Sequence, residues 1–135
     1  MRYCLFVLLV AAPVFSQQAP EAPSHSFFDT SNQLRMVAIA ALIASDGITT
    51  QHILTIDHGR ELNPFVRPLV TRGTGGQLAA SLLGYSFTTG TAFLFHKMGH
   101  HRLERLTFNI SMAIETECVT SNLVQIATAP RTGPR

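Results

Sequence analysis

Leu34 to Ile56 is a long apolar run, and it carries an aspartate, Asp46, near its middle. At about 1.5 Å of rise per residue, such a run crosses the ~30 Å hydrocarbon core of a bilayer as one helix. Met36 to Ala44 is apolar on every face, so the striped pattern of a soluble amphipathic helix is absent there. The second half is polar for a membrane helix, with Asp46, Thr49, Thr50, Gln51 and His52. A carboxyl group inside a span is expensive, so Asp46 requires partners.

Two further runs have the length of spans. Gln77 to Lys97 is apolar and ends at Gly99, and His100, His101 and Arg102 are expected to make a tight turn. Leu103 to Ala127 is more polar and includes Asn109, Ser111, Glu115, Glu117 and Asn122. It suits a bilayer only if much of its surface is buried against protein. Upstream, Arg2 and the apolar stretch Leu5–Ala12, with Val14 and Ser16 before a cleavage point, read as a secretory signal over residues 1–16. Residues 17–32 read as an exposed polar linker and 130–135 as a disordered tail, leaving a membrane domain at 33–129. The expected fold is all-α, an integral membrane bundle of three transmembrane helices after a signal peptide. Charged residues are only 13% of the chain, about half the usual share. The net charge of +2 is small and its cations are scattered, which argues against nucleic acid as a partner.

The signal places the mature N-terminus outside the cytoplasm, the 57–76 loop inside, the 98–102 turn outside and the C-terminus in the cytoplasm of a multi-pass protein in the cell membrane. Lys and Arg are too evenly spread to decide orientation by themselves. Counting inward from the outer ends, Asp46 and Glu115 both fall roughly 18 Å deep, level with Gly84 and Tyr85. An intramembrane polar cluster of Asp46, Thr49, Thr50, Tyr85 and Glu115 is therefore expected. Its chemistry is either a proton-sharing carboxyl pair, a small-cation site, or interhelical hydrogen bonding with one acid neutral.

The loop that follows contains Gly59-Arg60-Glu61-Leu62-Asn63-Pro64. Gly59 suits a helix C-cap, and Asn63 followed by Pro64 reads as an N-cap and first-position pair, so Pro64 to about Val70 is expected to be a short helix or turn. Glu61 is placed to accept free N–H groups there or to pair with Arg60 or Arg67. Gly73-Thr74-Gly75-Gly76 reads as a flexible connection. An Asp in the first helix, a Thr shortly after, then Gly-x-x-Glu-x-Asn-Pro resembles the pattern of a family of small bacterial multi-pass membrane proteins of unknown function. Here the residues are Asp46, Thr49/Thr50, Gly59, Glu61, Asn63 and Pro64. The resemblance implies an integral membrane protein with few helices and implies no activity.

His96, His100 and His101 lie together at the outer end of the second span and are the candidates for a metal, with His25 or Asp29 available from the preceding segment. A fixed third ligand is missing from that spacing, so no metal or other cofactor is expected. GxSxG and HExxH are absent, and no catalytic residue is assigned. The leading expectation is a non-enzymatic scaffold or accessory subunit. Its partners are the lipid bilayer and either a second copy of itself or a larger membrane complex, because three helices bury little surface. The alternatives are an ion- or proton-coupled transport module using intramembrane carboxylates, and a membrane metal-binding protein.

Overall fold

A computed structural model describes residues 24–56, 59–61 and 63–129. The signal read at 1–16, the linker residues 17–23 and the tail at 130–135 lie outside the described residues. Those described form α1 (Thr30–Thr55), α2 (Arg67–Val70), α3 (Thr74–Lys97) and α4 (His101–Thr128), with no strand among them. By length and composition, α1 and α3 are the two helices fit to cross a membrane. α4 is 28 residues long, but its charged and polar residues place it outside that criterion.

α1 begins earlier than the apolar run does. The N-cap is Asp29, whose carboxylate accepts the Asn32 backbone N–H at 2.7 Å. This satisfies one of the free donors of the first turn, and the same bond holds the Asp29 carboxyl below its usual value. Of the segment read as an exposed linker over 17–32, the described residues are mostly exposed, but Phe27 before α1 is 5% exposed and Asn32 in its first turn is fully buried. Phe27 packs with Ala92 of α3 and Phe108 of α4, so burial of one aromatic ring decides the path of the chain before the helix.

α1 ends at Thr55, and the Gly59 N–H returns to the Ile53 carbonyl at 2.9 Å. Asn63 caps a turn rather than the helix. Its Oδ1 accepts the Phe65 N–H at 3.0 Å, and α2 starts only at Arg67, with Pro68 in its first turn. The pre-proline restriction explains the delay, because Asn63 is held extended and the chain needs one turn, Pro64 to Val66, to enter helical geometry. The glycine-rich connection is also shorter than expected. Gly73 alone takes a positive φ of 79°, while Gly75 and Gly76 already belong to α3.

α3 and α4 form a tight hairpin. Gly99, at φ 77°, follows the C-cap Met98. The His100 N–H reaches the Phe95 carbonyl at 2.9 Å and the Gly99 N–H reaches the His96 carbonyl at 3.0 Å. This is the Schellman arrangement, in which a left-handed glycine lets two amides close the last turn. The turn therefore falls at Met98–His100, and His101 and Arg102 open α4.

α4 packs along α1 and α3, α1 packs on α3, and α2 lies against α3. Buried apolar side chains are few, with Ile39, Ile43, Ile53 and Val70 completing those named above. On α3, Leu78, Leu82, Leu83, Phe87 and Leu94 are largely exposed, an apolar outer face of the kind lipid or partner helices cover. At Gly76, an added Cβ would stand 1.9 Å from the Leu69 carbonyl oxygen, whereas Gly75 has open space. Gly76→Ala is expected to destabilise the detergent-solubilised protein by about 2 kcal/mol or more, through overpacking against backbone. Gly75→Ala, with no such contact, should leave it unchanged or slightly stabilised in thermal unfolding.

Candidate metal centre

Two polar sites occupy the bundle. The first is the expected carboxyl cluster, with changes in membership. Asp46, Thr50 and Glu115 line a cavity of about 130 Å³ together with Gln77, Ser81 and Glu61. The fourth-helix residue that binds Asp46 is Asn122. Its Nδ2 lies 3.0 Å from Asp46 Oδ1, 3.0 Å from Thr49 Oγ1 and 3.1 Å from Thr50 Oγ1. Asn122 shares a face of α4 with Ser111 and Glu115, at spacings of four and seven that the sequence itself shows, although the expected cluster did not include it.

Tyr85 is a correction: Gly84 lines the cavity and Tyr85 does not. Depth along a helix was matched, but one residue of rotation, about 100°, turns the side chain away. Glu61 is the second correction. Chain distance separates it from Asp46, yet the loop folds back and both face one cavity. Glu61 also accepts the Asn63 N–H at 2.7 Å, which pins the loop motif to this end of the bundle. Gly47 of α1 gives the neighbouring close approach, with the Gln77 and Ser81 side chains 3.2–3.3 Å from an added Cβ.

The second site lies at the other end of α1. His25 precedes α1, His96 is in the last turn of α3, His101 opens α4 and Glu104 stands one turn further on. One potential ligand atom from each falls within 4.8 Å of all the others. Glu104 Oε2 is 2.9 Å from His96 Nδ1, 3.1 Å from His101 Nδ1 and 3.5 Å from His25 Nε2. Tetrahedral ligands at zinc–nitrogen bonds of about 2.0–2.1 Å stand roughly 3.3 Å apart, close to the three Glu104–histidine separations, while the widest of the four-atom separations, up to 4.8 Å, would shorten as the side chains close on an ion. The three imidazole rings converge with centroids 4.8–5.4 Å apart. Glu104 is fully buried and His101 is 8% exposed.

The surroundings orient each donor. Asn32 Nδ2 donates to Glu104 Oε1 and to the Phe27 carbonyl, which leaves Oε2 for the histidines. His25 Nδ1 lies 2.8 Å from the Ser26 carbonyl and 3.0 Å from Asp29 Oδ2. Both are pure acceptors, so Nδ1 carries the hydrogen and Nε2 the lone pair. A carboxylate behind a metal-facing imidazole is a recurrent outer-shell arrangement. His25 Nε2 is buried and has no hydrogen-bond partner. Hydrogen bonds from His96 and His101 would satisfy Glu104 Oε2 by themselves and leave His25 Nε2 with nothing. A cation among the four atoms satisfies all of them.

The histidine candidates are thus brought together in part. His96 and His101 converge, while His100 is exposed and outside the cluster. The four-residue spacing of His96 and His100 applies only within a helix, and α3 ends before Gly99. Glu104 escaped the sequence reading, although its spacing of three from His101 puts both on one face of α4. Three neutral imidazoles and one carboxylate suit a borderline divalent ion such as Zn²⁺ and also Cu²⁺, Ni²⁺ or Co²⁺.

Comparison with known proteins finds no matching family model, no similar curated protein and no similar solved structure.

Asn122 is the donor that α4 offers to Asp46, Thr49 and Thr50. Asn122→Ala leaves those half-buried oxygens short of a donor and should cost about 1 kcal/mol. Thermal unfolding in detergent measures it, with Glu117→Ala on the exposed side of α4 expected to be near neutral.

Proposed function

We propose that this chain is an integral membrane protein that binds one divalent transition-metal ion at the extracytoplasmic end of a three-helix bundle. The observation that carries this reading is the convergence of His25, His96, His101 and Glu104 around a buried imidazole nitrogen with no hydrogen-bond partner. The two apolar helices α1 and α3 support the membrane setting. In this reading α4 is the third span, its polar face covered by α1 and α3. The signal-like N-terminus puts the metal end outside the cytoplasm and the Glu61 loop inside. The role is binding rather than catalysis, and the pattern running from Asp46 to Pro64 resembles that of small bacterial multi-pass membrane proteins of unknown function, which implies no activity.

This reading ranks above a purely structural role as scaffold or accessory subunit, which rests on the exposed apolar face of α3 alone. The test is elemental analysis and Zn²⁺ competition titration of the full chain purified in detergent. One metal per chain is expected. His96→Ala and Glu104→Ala should each weaken binding at least a hundredfold, and Asp46→Asn should leave it unchanged. Absence of stoichiometric metal under Zn²⁺ saturation sinks the reading.

The cavity of Asp46, Glu61 and Glu115 favours a second activity, exchange of protons or small cations between these carboxyls. In liposomes, Asp46→Asn is expected to abolish any proton or cation flux that the wild-type protein supports while leaving folding and metal content intact. Equal flux for variant and wild type removes transport from consideration.

A further inference from the structure

The ligands are unequal in their place in the chain. His96, His101 and Glu104 all belong to the α3–α4 hairpin, whose turn is closed by Gly99 and His100. His25 comes from the segment before α1 and reaches the same point from the far end of the sequence. That segment lies across the hairpin at three places. His25 faces Glu104, Phe27 is packed edge-on against Phe93 and His96 at centroid distances of 5.1 and 5.4 Å, and Asp29 lies 3.8 Å from Arg105. Phe27 also gives its carbonyl to Asn32, the residue that orients Glu104.

We infer that the metal is a clasp. Resting on the metal-binding reading above, the inference is that a Zn²⁺-class ion first meets His96, His101 and Glu104 on the hairpin and that His25 then closes over it. Metal occupancy thereby decides how firmly the segment around residues 25–29, already docked through Phe27 and Asp29, is held on the bundle. Phe27 and Asp29 hold the strap in register, and the ion supplies the contact that the bare His25 Nε2 otherwise lacks. Asp29 is a positioning residue. It fixes the His25 tautomer through Nδ1 and sets the strap's exit by capping α1. A protein built this way reports external metal as a change in what its N-terminal segment exposes.

The experiment uses the full chain in detergent, with Zn²⁺ for amide hydrogen exchange and Co²⁺ as a visible probe of coordination. In the wild type, Zn²⁺ should slow exchange of the amides of residues 25–29 at least tenfold and leave mid-α3 amides unchanged. His25→Ala should still bind Co²⁺ through the hairpin, with at least tenfold weaker affinity and an altered visible spectrum, and Zn²⁺ should no longer slow exchange at 25–29. Asp29→Asn keeps the helix cap and should weaken Co²⁺ binding severalfold, whereas a merely structural role would leave the spectrum and affinity unmoved. Stoichiometric metal with unchanged exchange at 25–29, or a His25→Ala spectrum identical to wild type, overturns the clasp and leaves metal binding standing. No Co²⁺ or Zn²⁺ binding by the wild type overturns both. The wild-type exchange comparison decides the matter even if a variant fails to fold.

Discussion

The buried carboxylate of Glu104 is the constraint around which one end of the molecule is arranged. A charge with no exposure is costly unless hydrogen bonds and opposite charge surround it. Here Asn32 takes one oxygen, and His25, His96 and His101 stand round the other. Each of these groups depends on a different piece of local structure. The Asp29 cap delivers Asn32, the Schellman turn at Gly99 sets His96 beside His101, and the Phe27 pocket holds the strap that carries His25. The α3–α4 hairpin, the start of α1 and the segment before it are therefore one unit.

The opposite end is held by polar contacts of another kind. Gln51 of α1 donates to the Val70 carbonyl at 2.9 Å and lies 3.2 Å from Gln77 Oε1, tying α2 and α3 to α1. Asn122 ties α4 to Asp46 and its threonines. With so few buried apolar side chains, helix association rests on these amides and on close approach at Gly47 and Gly76. That is the pattern expected where the surroundings are as apolar as the side chains and burial of Leu against Leu brings little. The loop bearing Glu61, Asn63 and Pro64 closes this end, and Glu61 adds a third carboxyl to the Asp46 cavity.

Much of this was legible in the chain itself. The apolar runs give α1 and α3, Gly99 marks the hairpin, and the polar interruptions at Asp46, Thr49, Thr50 and Glu115 mark one polar site. Those signals are local, set by helix period and by the cost of placing charge among apolar neighbours. Tyr85 was misplaced because level along an axis says nothing about rotation. His100 was misplaced because helical spacing stops where the helix does. Glu61 joins Asp46 through folding of a distant loop, and no local pattern records that, whereas Asn122 shares the Glu115 face of its helix by spacing alone.

The sequence by itself determined that the chain is helical, that its apolar runs are of membrane-spanning length, three of them expected and two, α1 and α3, apolar enough, and that isolated carboxyls within it need partners. These follow from composition and periodicity, which act over a few residues at a time. Only the tertiary structure decided which groups become those partners. His25 meets His96, His101 and Glu104 because Phe27 finds its pocket between α3 and α4, and that packing fixes a contact between residues far apart in the sequence. The convergence of ligand atoms is a property of how the helices and the strap are docked, and docking is set by shape and burial across the whole bundle.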